Sequence, residues 1–481
     1  MKDELNILNS LLAQAKKGFC RIPVLIAGEY QERSQLAEKF LDQFEQKTTI
    51  WVSGQTQPAF SKPTKLKANN VIGKEYQLII YDIEYNFEPN LFAALSGTLC
   101  GGGLMLVLSP PVKNWIIEQQ KQANWFTWRF IKILSTSPRC PNITTGSIRT
   151  ESPHFLRDQR PSASKHPLLA QQALAIQKIV QVVRGHRNRP LVLLADRGRG
   201  KSAALGIAAS QLLASGVQNI LLTSPSMEAC TIVFKHLKLN LASASFPKGQ
   251  VITNNAALRF ISPDSLVKTL PSTNLLLVDE AAGIPTATLA LITQKYARIV
   301  FASTIHGYEG SGHCFSIKFF EHLDRLTPNW KKFELTSPVR WAQADPLEAL
   351  SNQLFLFSSQ EKQEPDTAHK ISNPAIQQIS AENLVKNEGL LNQLYALLSS
   401  AHYRTQPSDL LHLLNDANIV IFLMQENKQL IAAAFATSEG CLEQDIGKQI
   451  YLGNRRLKGN IIPQTLATHP GIENAVQHRY L

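Results

Sequence analysis

Short apolar runs alternate with helical patterns along the first 155 or so residues of the chain. Helical patterns near Arg33 to Gln46 and around Phe92 to Leu99 lie between runs that resemble strands. Those runs are PVLIAGE, TTIWVSG, YQLIIYDIEY and LMLVLSP. Such alternation is typical of parallel strands connected by helices. We therefore predict a Rossmann-like α/β domain over residues 1–155. We assign it no catalysis, because the turn after PVLIAG lacks the glycines and lysine of a phosphate cradle.

The same alternation resumes after Ser152 to Pro167, a stretch rich in Pro, Ser, Arg and His that predicts a linker. Helical stretches separate the apolar runs RPLVLLAD, NILLTSP, NLLLVDE, ARIVFAST and KKFELTSP. A second α/β domain with a parallel sheet is therefore predicted over residues 165–350.

A polar, acidic segment at Ser358 to Asp366 predicts a second linker. Amphipathic helical patterns near Glu382 to Ser400 follow it. They precede NIVIFLMQENKQLIAAAFATSEG, which contains two strand patterns joined by a polar turn. We expect a third domain, of mixed α and β structure, over residues 370–481.

The composition supports a folded, multidomain protein. A chain of 481 residues exceeds what one hydrophobic core can serve, and 44% hydrophobic with 18% charged residues is ordinary for a globular protein. No run of about 18 apolar residues predicts a membrane span, and the first residues do not form a secretory signal, so we expect a cytoplasmic protein with no membrane partner. The six cysteines are far apart and lack zinc-site spacing, which predicts free, buried thiols.

The net charge of +12 is unevenly distributed. The basic surplus lies in residues 1–345, whereas residues 346–481 contain slightly more acidic than basic side chains. Lys and Arg side chains that neutralise phosphates release condensed counterions, so a basic surplus of this size favours nucleic acid as the partner. A solvated basic surface without a partner is the alternative.

The segment ANWFTWRFIKIL interleaves aromatic and basic residues. Such a segment could stack bases beside phosphates. The same spacing also predicts a helix whose aromatic side chains face a core, and we favour this second interpretation. The residues concerned are Trp125, Phe126, Trp128, Arg129, Phe130 and Lys132.

The segment RPLVLLADRGRGKSAALGIAA has the order that a P-loop requires: an apolar strand, a glycine-rich turn, Lys-Ser and a helix. Glycines allow backbone N–H groups to surround phosphates, Lys201 reaches the β and γ phosphates, and Ser202 ligates Mg²⁺. Ala195 replaces the first glycine of the usual pattern, and a small residue still permits the turn. The predicted ATP-binding residues of this segment are Gly198, Arg199, Gly200, Lys201, Ser202 and Ala203.

A pair of carboxylates at the end of a later apolar strand strengthens the P-loop prediction. In LLLVDEAAG, apolar strand residues end in Asp279 and Glu280, the pattern of a Walker B strand. Asp279 would hold Mg²⁺ through water, and Glu280 would orient or deprotonate the attacking water as the catalytic base. The alternative is a buried strand that ends in two solvated acids.

Two polar clusters follow other strands of the same predicted sheet. After ARIVFAST, the side chains of Ser303, Thr304 and His306 could sense the γ-phosphate, and the glycine-rich stretch Gly307 to Gly312 predicts a mobile loop. After KKFELTSP, Arg340 suits an arginine finger supplied in cis. A structural ion pair or an ordinary loop would explain either cluster equally well, although ligands of open α/β sheets do bind at the carboxyl ends of strands.

Several segments resemble, in the same order, those of the bacterial tRNA(Met) cytidine acetyltransferases. They are ADRGRGKSA, VDEAAGIP, STIHGYEGSG, PVRWAQADPLE and AHYRTQPSDL, and FAALSGTLCGGG resembles the N-terminal domain of that family. The resemblance implies a helicase-like ATPase domain and a GNAT-type domain that transfers acetyl from acetyl-CoA to a cytidine exocyclic amine in the anticodon of tRNA(Met). It implies ATP, Mg²⁺ and acetyl-CoA as cofactors and elongator tRNA(Met) as the RNA partner, and it says nothing of protein partners.

The resemblance also implies particular residues. Gln171 in LAQQAL would contact the nucleotide as an adenine-reading element, with Gln172 as a rival, and Arg340 would contact it too. Tyr403 and Arg404 would lie in the opening helix of the acetyltransferase domain, without an assigned role.

The sequence departs from the family in its last region. A GNAT domain binds the acetyl-CoA pyrophosphate at a [QR]-x-x-G-x-[GA] turn after a strand, and this turn does not occur. The basic glycine stretch Gly453 to Asn460 has neither that spacing nor an adequate preceding strand. We therefore expect a shortened family member, with its acetyl-CoA residues unknown.

Three hypotheses about function follow. The first is an ATP-dependent tRNA cytidine acetyltransferase, complete only if the missing part is supplied separately. The second is an RNA-stimulated ATPase or RNA-binding remnant without transferase activity. The third is a helicase-like motor of unrelated purpose.

Overall fold

The computed structural model describes twelve stretches of the chain. They are residues 1–53, 66–68, 71, 74–85, 87–145, 166–196, 198–304, 312–357, 374–401, 406–427, 429–472 and 474–480. The chain divides into two compact units. The first unit comprises Met1–Ile117, Phe130–Glu361 and Ser399–Ser408, and the second comprises Glu118–Arg129, Lys362–Leu398 and Asp409–Leu481. No helix of the described residues is long and apolar enough to span a bilayer.

The N-terminal part contains five parallel strands with connecting helices, as the alternating pattern predicts. Its elements are α1 (Lys2–Gly18), β1 (Ile22–Ala27), α2 (Tyr30–Leu41), β2 (Thr49–Val52), β3 (Tyr76–Asp82), α3 (Pro89–Ser96), β4 (Leu99–Ser109), α4 (Val112–Lys121), α5 (Trp125–Thr136) and β5 (Asn142–Thr144). The strand order is β2-β3-β4-β1-β5, and β1 is buried along its whole length. This sheet is the Rossmann-like α/β arrangement expected from the sequence.

A buried arginine follows β1 in this sheet. The Arg33 side chain is 1% exposed, donates to the Gly28 carbonyl oxygen at 2.9 Å and pairs with Glu84 and, at 3.7 Å, with Asp82. Arg33, in α2, thus links the carboxyl ends of β1 and β3 through a hydrogen bond to Gly28 and ion pairs to Asp82 and Glu84. This packing agrees with the absence of a phosphate cradle after PVLIAG.

The central part contains a seven-stranded sheet. Its elements are α6 (His166–Arg184), β6 (Leu191–Ala195), α7 (Lys201–Ala214), β7 (Asn219–Thr223), α8 (Thr231–Asn240), β8 (Gln250–Ile252), β9 (Ala257–Phe260), α9 (Pro263–Thr269), β10 (Leu275–Val278), α10 (Thr286–Lys295), β11 (Ile299–Thr304), α11 (Gly312–Leu326), β12 (Lys331–Leu335) and α12 (Pro346–Phe355). The order is β12-β6-β11-β10-β7-β9-β8, and all neighbours are parallel except β8 and β9.

Both faces of the central sheet are covered. Alternate residues of β6 enter different hydrophobic clusters: Leu191 and Leu193 pack on one face, and Val192 and Leu194 on the other. Burial on both faces explains the continuous apolar runs from which the parallel sheet was predicted. The α6 helix begins at His166, inside the predicted linker, and the rest of both predicted linkers lies outside the described residues.

The last part of the chain contains a three-stranded antiparallel sheet and several helices. Its elements are β13 (Ala375–Ile379), α13 (Ala381–Lys386), α14 (Glu388–Ala401), α15 (Pro407–Asn415), β14 (Ile419–Glu426), β15 (Gln429–Thr437), β16 (Glu439–Gly440), α16 (Gln444–Tyr451), α17 (Ile461–Thr468) and β17 (Arg479–Tyr480). The predicted hairpin is present as β14 and β15, with β13 on the other side of β14. The glycine stretch Gly453 to Asn460 follows α16, a helix, as its lack of an adequate preceding strand indicated.

The aromatic and basic segment forms α5 and faces a core. Phe126 and Phe130 are each 1% exposed, and Trp128 is also buried. The Arg129 guanidinium is buried and donates to the Glu388 carboxylate at 3.0 Å. The core interpretation is confirmed, and the base-stacking alternative is wrong for these three rings, because packing hides their faces.

The cysteines differ more than the sequence suggested. Cys20, Cys140 and Cys230 are buried free thiols, whereas Cys100 is half-buried and Cys441 is exposed. Burial raises the pKa of the Cys140 thiol to about 12. The prediction of buried thiols is thus confirmed for three cysteines and wrong for Cys441. The described residues contain no cluster of His, Cys, Asp and Glu that could hold a metal ion by itself.

Candidate nucleotide site

The turn between β6 and α7 has the backbone of a phosphate cradle. Gly198 and Gly200 adopt φ values of 76° and 83°, in the left-handed region that side chains rarely enter. A Cβ atom at Gly200 would lie 2.6 Å from Nε2 of Gln172, and one at Gly198 would lie 2.7 Å from Cζ2 of Trp341. The backbone conformation therefore favours glycine at both positions, and close packing against the Trp341 ring also requires it at Gly198.

Three polar side chains meet at the N-terminus of α7. The ammonium group of Lys201 pairs with the Glu280 carboxylate and donates to Thr304 Oγ1 at 3.0 Å. Thr304 Oγ1 in turn donates to Glu280 Oε2 at 3.2 Å. Lys201 and Glu280 are 10% and 29% exposed, so the cluster opens to solvent on the Glu280 side. The P-loop lysine and the predicted catalytic base are thus neighbours, as the sequence required.

Asp279 lies beneath this cluster and is fully buried. Burial is the main cause that raises the pKa of its carboxyl to about 6; Lys201 and the Ser202 hydroxyl act to lower this pKa, and the nearby Glu280 acts to raise it. Its Oδ1 accepts from the Glu280 backbone N–H at 3.0 Å, whereas its Oδ2 has no hydrogen-bond partner. A buried carboxylate oxygen without a partner, close to a serine hydroxyl, matches the hard oxygen ligands that Mg²⁺ prefers. The residues present therefore fit the predicted metal.

The sensor residues are partly at the site. Thr304 joins the Lys201 and Glu280 pair, while Ser303 is fully buried and its hydroxyl has no hydrogen-bond partner. His306 lies outside the described residues. The loop predicted over Gly307 to Gly312 also lies outside them, except for Gly312, where α11 begins. A phosphate-sensing role stays a prediction for these residues.

The two glutamines of α6 have different partners. Gln171 Oε1 accepts from the Ser337 N–H at 2.9 Å, and its Nε2 donates to Thr336 Oγ1 at 3.1 Å, so its amide is bound just beyond the end of β12. Gln172 Nε2 donates to the Gly200 carbonyl oxygen at 3.3 Å. Of the two, Gln172 contacts the P-loop directly. Adenine recognition by Gln171 stays a prediction.

The two arginines of the prediction also have partners. Arg199 NH2 pairs with Glu348 Oε1 at 2.7 Å, so its predicted contact with ATP stays a prediction. Arg340 NH2 lies 3.9 Å from Glu75 Oε1, and the Arg340 backbone N–H donates to the Gly198 carbonyl oxygen at 3.4 Å. Arg340 thus contacts the P-loop through its main chain, and its role as an arginine finger stays a prediction. Ala203, in the first turn of α7, is buried.

Four residues at this site have no counterpart among the predicted ones. The indole of Trp341 faces Gly198, and Glu348 accepts from both Trp341 Nε1, at 3.1 Å, and Arg199. Asp345 caps α12 by accepting from the Glu348 N–H at 2.8 Å. The fourth, Arg21, pairs with Asp345. The D-P-L-E sequence is a helix-start signal that could have revealed Asp345 and Glu348 as a pair.

Comparison with known proteins gives the family. The family described as tRNA(Met) cytidine acetyltransferase TmcA, N-terminal, matches residues 1–140, and the RNA cytidine acetyltransferase NAT10/TcmA helicase domain matches residues 192–358. The chain is 34% identical to the tRNA(Met) cytidine acetyltransferase TmcA of Nitrosococcus halophilus (strain Nc4), over 98% of this chain and 66% of that protein. The chain belongs to the tRNA(Met) cytidine acetyltransferase family. Its resemblance to that family is thereby confirmed.

Other relatives agree with this membership. The tRNA(Met) cytidine acetyltransferase TmcA of Vibrio cholerae is 35% identical over 99% of this chain and 65% of its own length. The chain thus spans about two thirds of the length of these relatives. Among solved structures, the large terminase from a thermophilic bacteriophage covers 34% of this chain and 45% of its own, at 15% identity and a TM-score of 0.27. That likeness is too low to support an argument about function.

Proposed function

We propose that this chain binds and hydrolyses ATP at Lys201 and that hydrolysis serves the acetylation of a cytidine amine in tRNA(Met). The observation that supports the proposal is the cluster of Lys201, Glu280 and Thr304 above the buried carboxylate of Asp279. A lysine at a glycine-rich helix N-terminus, next to two carboxylates at the carboxyl end of another strand of the same sheet, is the arrangement that phosphoryl transfer requires. The RNA substrate is proposed from family membership.

The residues of the site have separable roles in this proposal. Backbone N–H groups from Gly198 to Ser202 bind phosphate oxygens, and Lys201 binds the β and γ phosphates. Ser202 and Asp279 would hold Mg²⁺, which neutralises phosphate charge when bound. Arg340 and the glutamines of α6 are the proposed contacts to the rest of the nucleotide.

Glu280 is the proposed base for hydrolysis. Its carboxylate pairs with the Lys201 ammonium group. When phosphates bind Lys201 instead, the Glu280 carboxylate would become available to a water molecule. The water oxygen bonds to the γ-phosphorus, the bond from that phosphorus to the bridging oxygen breaks, and the water proton moves to a Glu280 carboxylate oxygen. The products are ADP and inorganic phosphate.

The acetyl transfer is proposed at the level of the family. The antiparallel strands β13 to β15 and helices α13 to α15 would belong to a GNAT-type domain over residues 370–481. The other domains would cover residues 1–155 and 165–350. No residue of this chain is assigned to acetyl-CoA, because the sequence contains no pyrophosphate turn of the GNAT type.

The direct test measures phosphate release from ATP with and without tRNA(Met). We expect hydrolysis that requires Mg²⁺ and that tRNA(Met) stimulates several-fold, because the family acts on this RNA. A parallel incubation with labelled acetyl-CoA reports whether label reaches the tRNA. Failure to bind or hydrolyse ATP would refute the ATPase proposal, and hydrolysis indifferent to any RNA would favour a motor of unrelated purpose.

Salt should weaken RNA binding steeply. The basic surplus of residues 1–345 would neutralise phosphates, and each neutralised phosphate releases counterions. For about five phosphate contacts, raising salt from roughly 50 to 200 mM should lower the affinity for tRNA by a factor on the order of one hundred to five hundred. A filter-binding titration at several salt concentrations measures the slope, and an affinity independent of salt would show that this surface does not bind RNA.

A further inference from the structure

The segment that follows β12 and includes the first two residues of α12 connects the P-loop with the N-terminal sheet. We call residues 339–347 the bridging segment. On one side, the Val339 N–H donates to the Gly198 carbonyl oxygen at 2.8 Å. Three backbone hydrogen bonds join the other side to the N-terminal part: Gly101 N–H to Arg340 O at 2.9 Å, Ala342 N–H to Phe19 O at 2.8 Å and Leu347 N–H to Arg21 O at 3.2 Å.

A buried ion pair reinforces this connection. Arg21 and Asp345 have side chains that are 2% and 0% exposed. Asp345 Oδ1 accepts from Arg21 NH2 at 2.8 Å and Nε at 3.1 Å, and its Oδ2 accepts from the Arg21 backbone N–H at 2.7 Å. Arg21 NH1 donates to the Ser96 carbonyl oxygen at 2.6 Å. A buried pair bonded in this way holds a defined geometry, and loss of one partner would leave a buried charge uncompensated.

Trp341 carries this geometry to the P-loop. The Arg21 guanidinium lies 3.3 Å from the centroid of the indole, and the distal edge of the same indole faces Gly198. Trp341 Nε1 donates to Glu348, which also binds Arg199 of the P-loop. The turn is therefore supported by the indole at Gly198 and by a carboxylate at Arg199.

We propose that Arg21 is a positioning residue for the nucleotide site and that it acts through Trp341. This inference rests on the proposed ATPase function. Gly198 and Gly200 have left-handed conformations, and a flexible glycine turn populates many others unless its surroundings select one. If the competent conformation becomes less populated, the apparent Kd for nucleotide rises by the inverse of its population. The N-terminal sheet thus contributes to ATP affinity without supplying a group that touches ATP.

The test compares two buried arginines of the N-terminal part. Arg21→Lys keeps the charge but loses the planar guanidinium that binds Asp345 and stacks on Trp341. Arg33→Lys makes the same change at a side chain that is 1% exposed and whose hydrogen bonds and ion pairs go to N-terminal residues. We expect Arg21→Lys to raise the Kd and KM for ATP about tenfold, with kcat at saturating ATP within about twofold of the parent, and Arg33→Lys to leave all three near parental values.

Measurements are made at a temperature where thermal unfolding shows every variant to be folded. A second variant, Trp341→Phe, shortens the ring that faces Gly198 and removes the bond to Glu348, and we expect a rise of about fivefold in Kd. This variant decides the question if Arg21→Lys does not fold.

The outcomes separate this inference from the proposed function. A parent protein that binds ATP, with Kd unchanged in both Arg21→Lys and Trp341→Phe, overturns the positioning role alone. An equal rise in Kd for Arg33→Lys also overturns it, because a general loss of packing would then explain the effect. A parent that does not bind ATP overturns the ATPase proposal and this inference together.

Discussion

Lys201→Ala is expected to reduce ATP hydrolysis by roughly a hundredfold to a thousandfold, the size of effect seen when one donor to developing charge is removed. Lys201 is a cation at the N-terminus of α7, and its ammonium group contacts Glu280 and Thr304 in the proposed nucleotide site. Alanine removes the charge that would bind the β and γ phosphates. Steady-state phosphate release, measured without RNA, gives the result.

The matched control is Lys238→Ala. Lys238 lies in the last turn of α8 and is exposed, so this variant changes the net charge equally without touching the site. We expect hydrolysis at the parental rate in the control. Undiminished hydrolysis in Lys201→Ala would show that the glycine-rich turn is not the ATP site.

Asp279→Asn is expected to stabilise the protein at pH 7 and to abolish hydrolysis that depends on Mg²⁺. Burial raises the pKa of Asp279 from 3.8 to about 6, so the folded state holds this proton more tightly than the unfolded state does. The protonated carboxyl therefore makes its full contribution to the free energy of unfolding below about pH 4, and this contribution is lost as the pH rises through about 6. At pH 7 the ionised carboxylate therefore lowers the free energy of unfolding, by an amount on the order of a few kcal/mol, since each pKa unit corresponds to about 1.4 kcal/mol.

Asparagine removes the buried charge and keeps an oxygen for the Glu280 N–H. Thermal unfolding at pH 7 should therefore show a higher midpoint for Asp279→Asn than for the parent, with the difference shrinking towards pH 4. The control Asp42→Asn changes an exposed carboxylate at the end of α2 and should leave the midpoint unchanged. A lower midpoint at pH 7 for Asp279→Asn would contradict the proposed cost of burying the carboxylate.

The higher stability and the lost activity expected of Asp279→Asn have one physical origin. The Asp279 carboxylate, which we propose as a ligand of Mg²⁺ in its ionised form, is held where ionisation is unfavourable, and one of its oxygens lacks a hydrogen-bond partner. Removing it should improve stability while it removes activity, the usual exchange at functional sites.

The sequence by itself determined the parts of the site that are local. The strand β6, the turn with Gly198 and Gly200, and the helix from Lys201 are contiguous, and their residue types permit the backbone conformation of a phosphate cradle. Asp279 and Glu280 were predicted to face Lys201 for a related reason. The carboxyl ends of strands in one parallel sheet lie at the same edge, so side chains that directly follow two such strands are expected near each other.

Only the tertiary structure decided what supports that cradle. Arg21 and Asp345 are 324 positions apart, and no periodicity in either segment indicates that they pair. Gln171 and Arg340 were predicted as nucleotide contacts. The Gln171 side chain accepts a hydrogen bond from the main chain just beyond β12, and the Arg340 side chain lies near Glu75. Their partners depend on strand order and on how the N-terminal sheet meets the bridging segment. The pattern of hydrophobic and polar residues within a segment predicts which face of an element is buried. It does not predict which distant residue packs against that face.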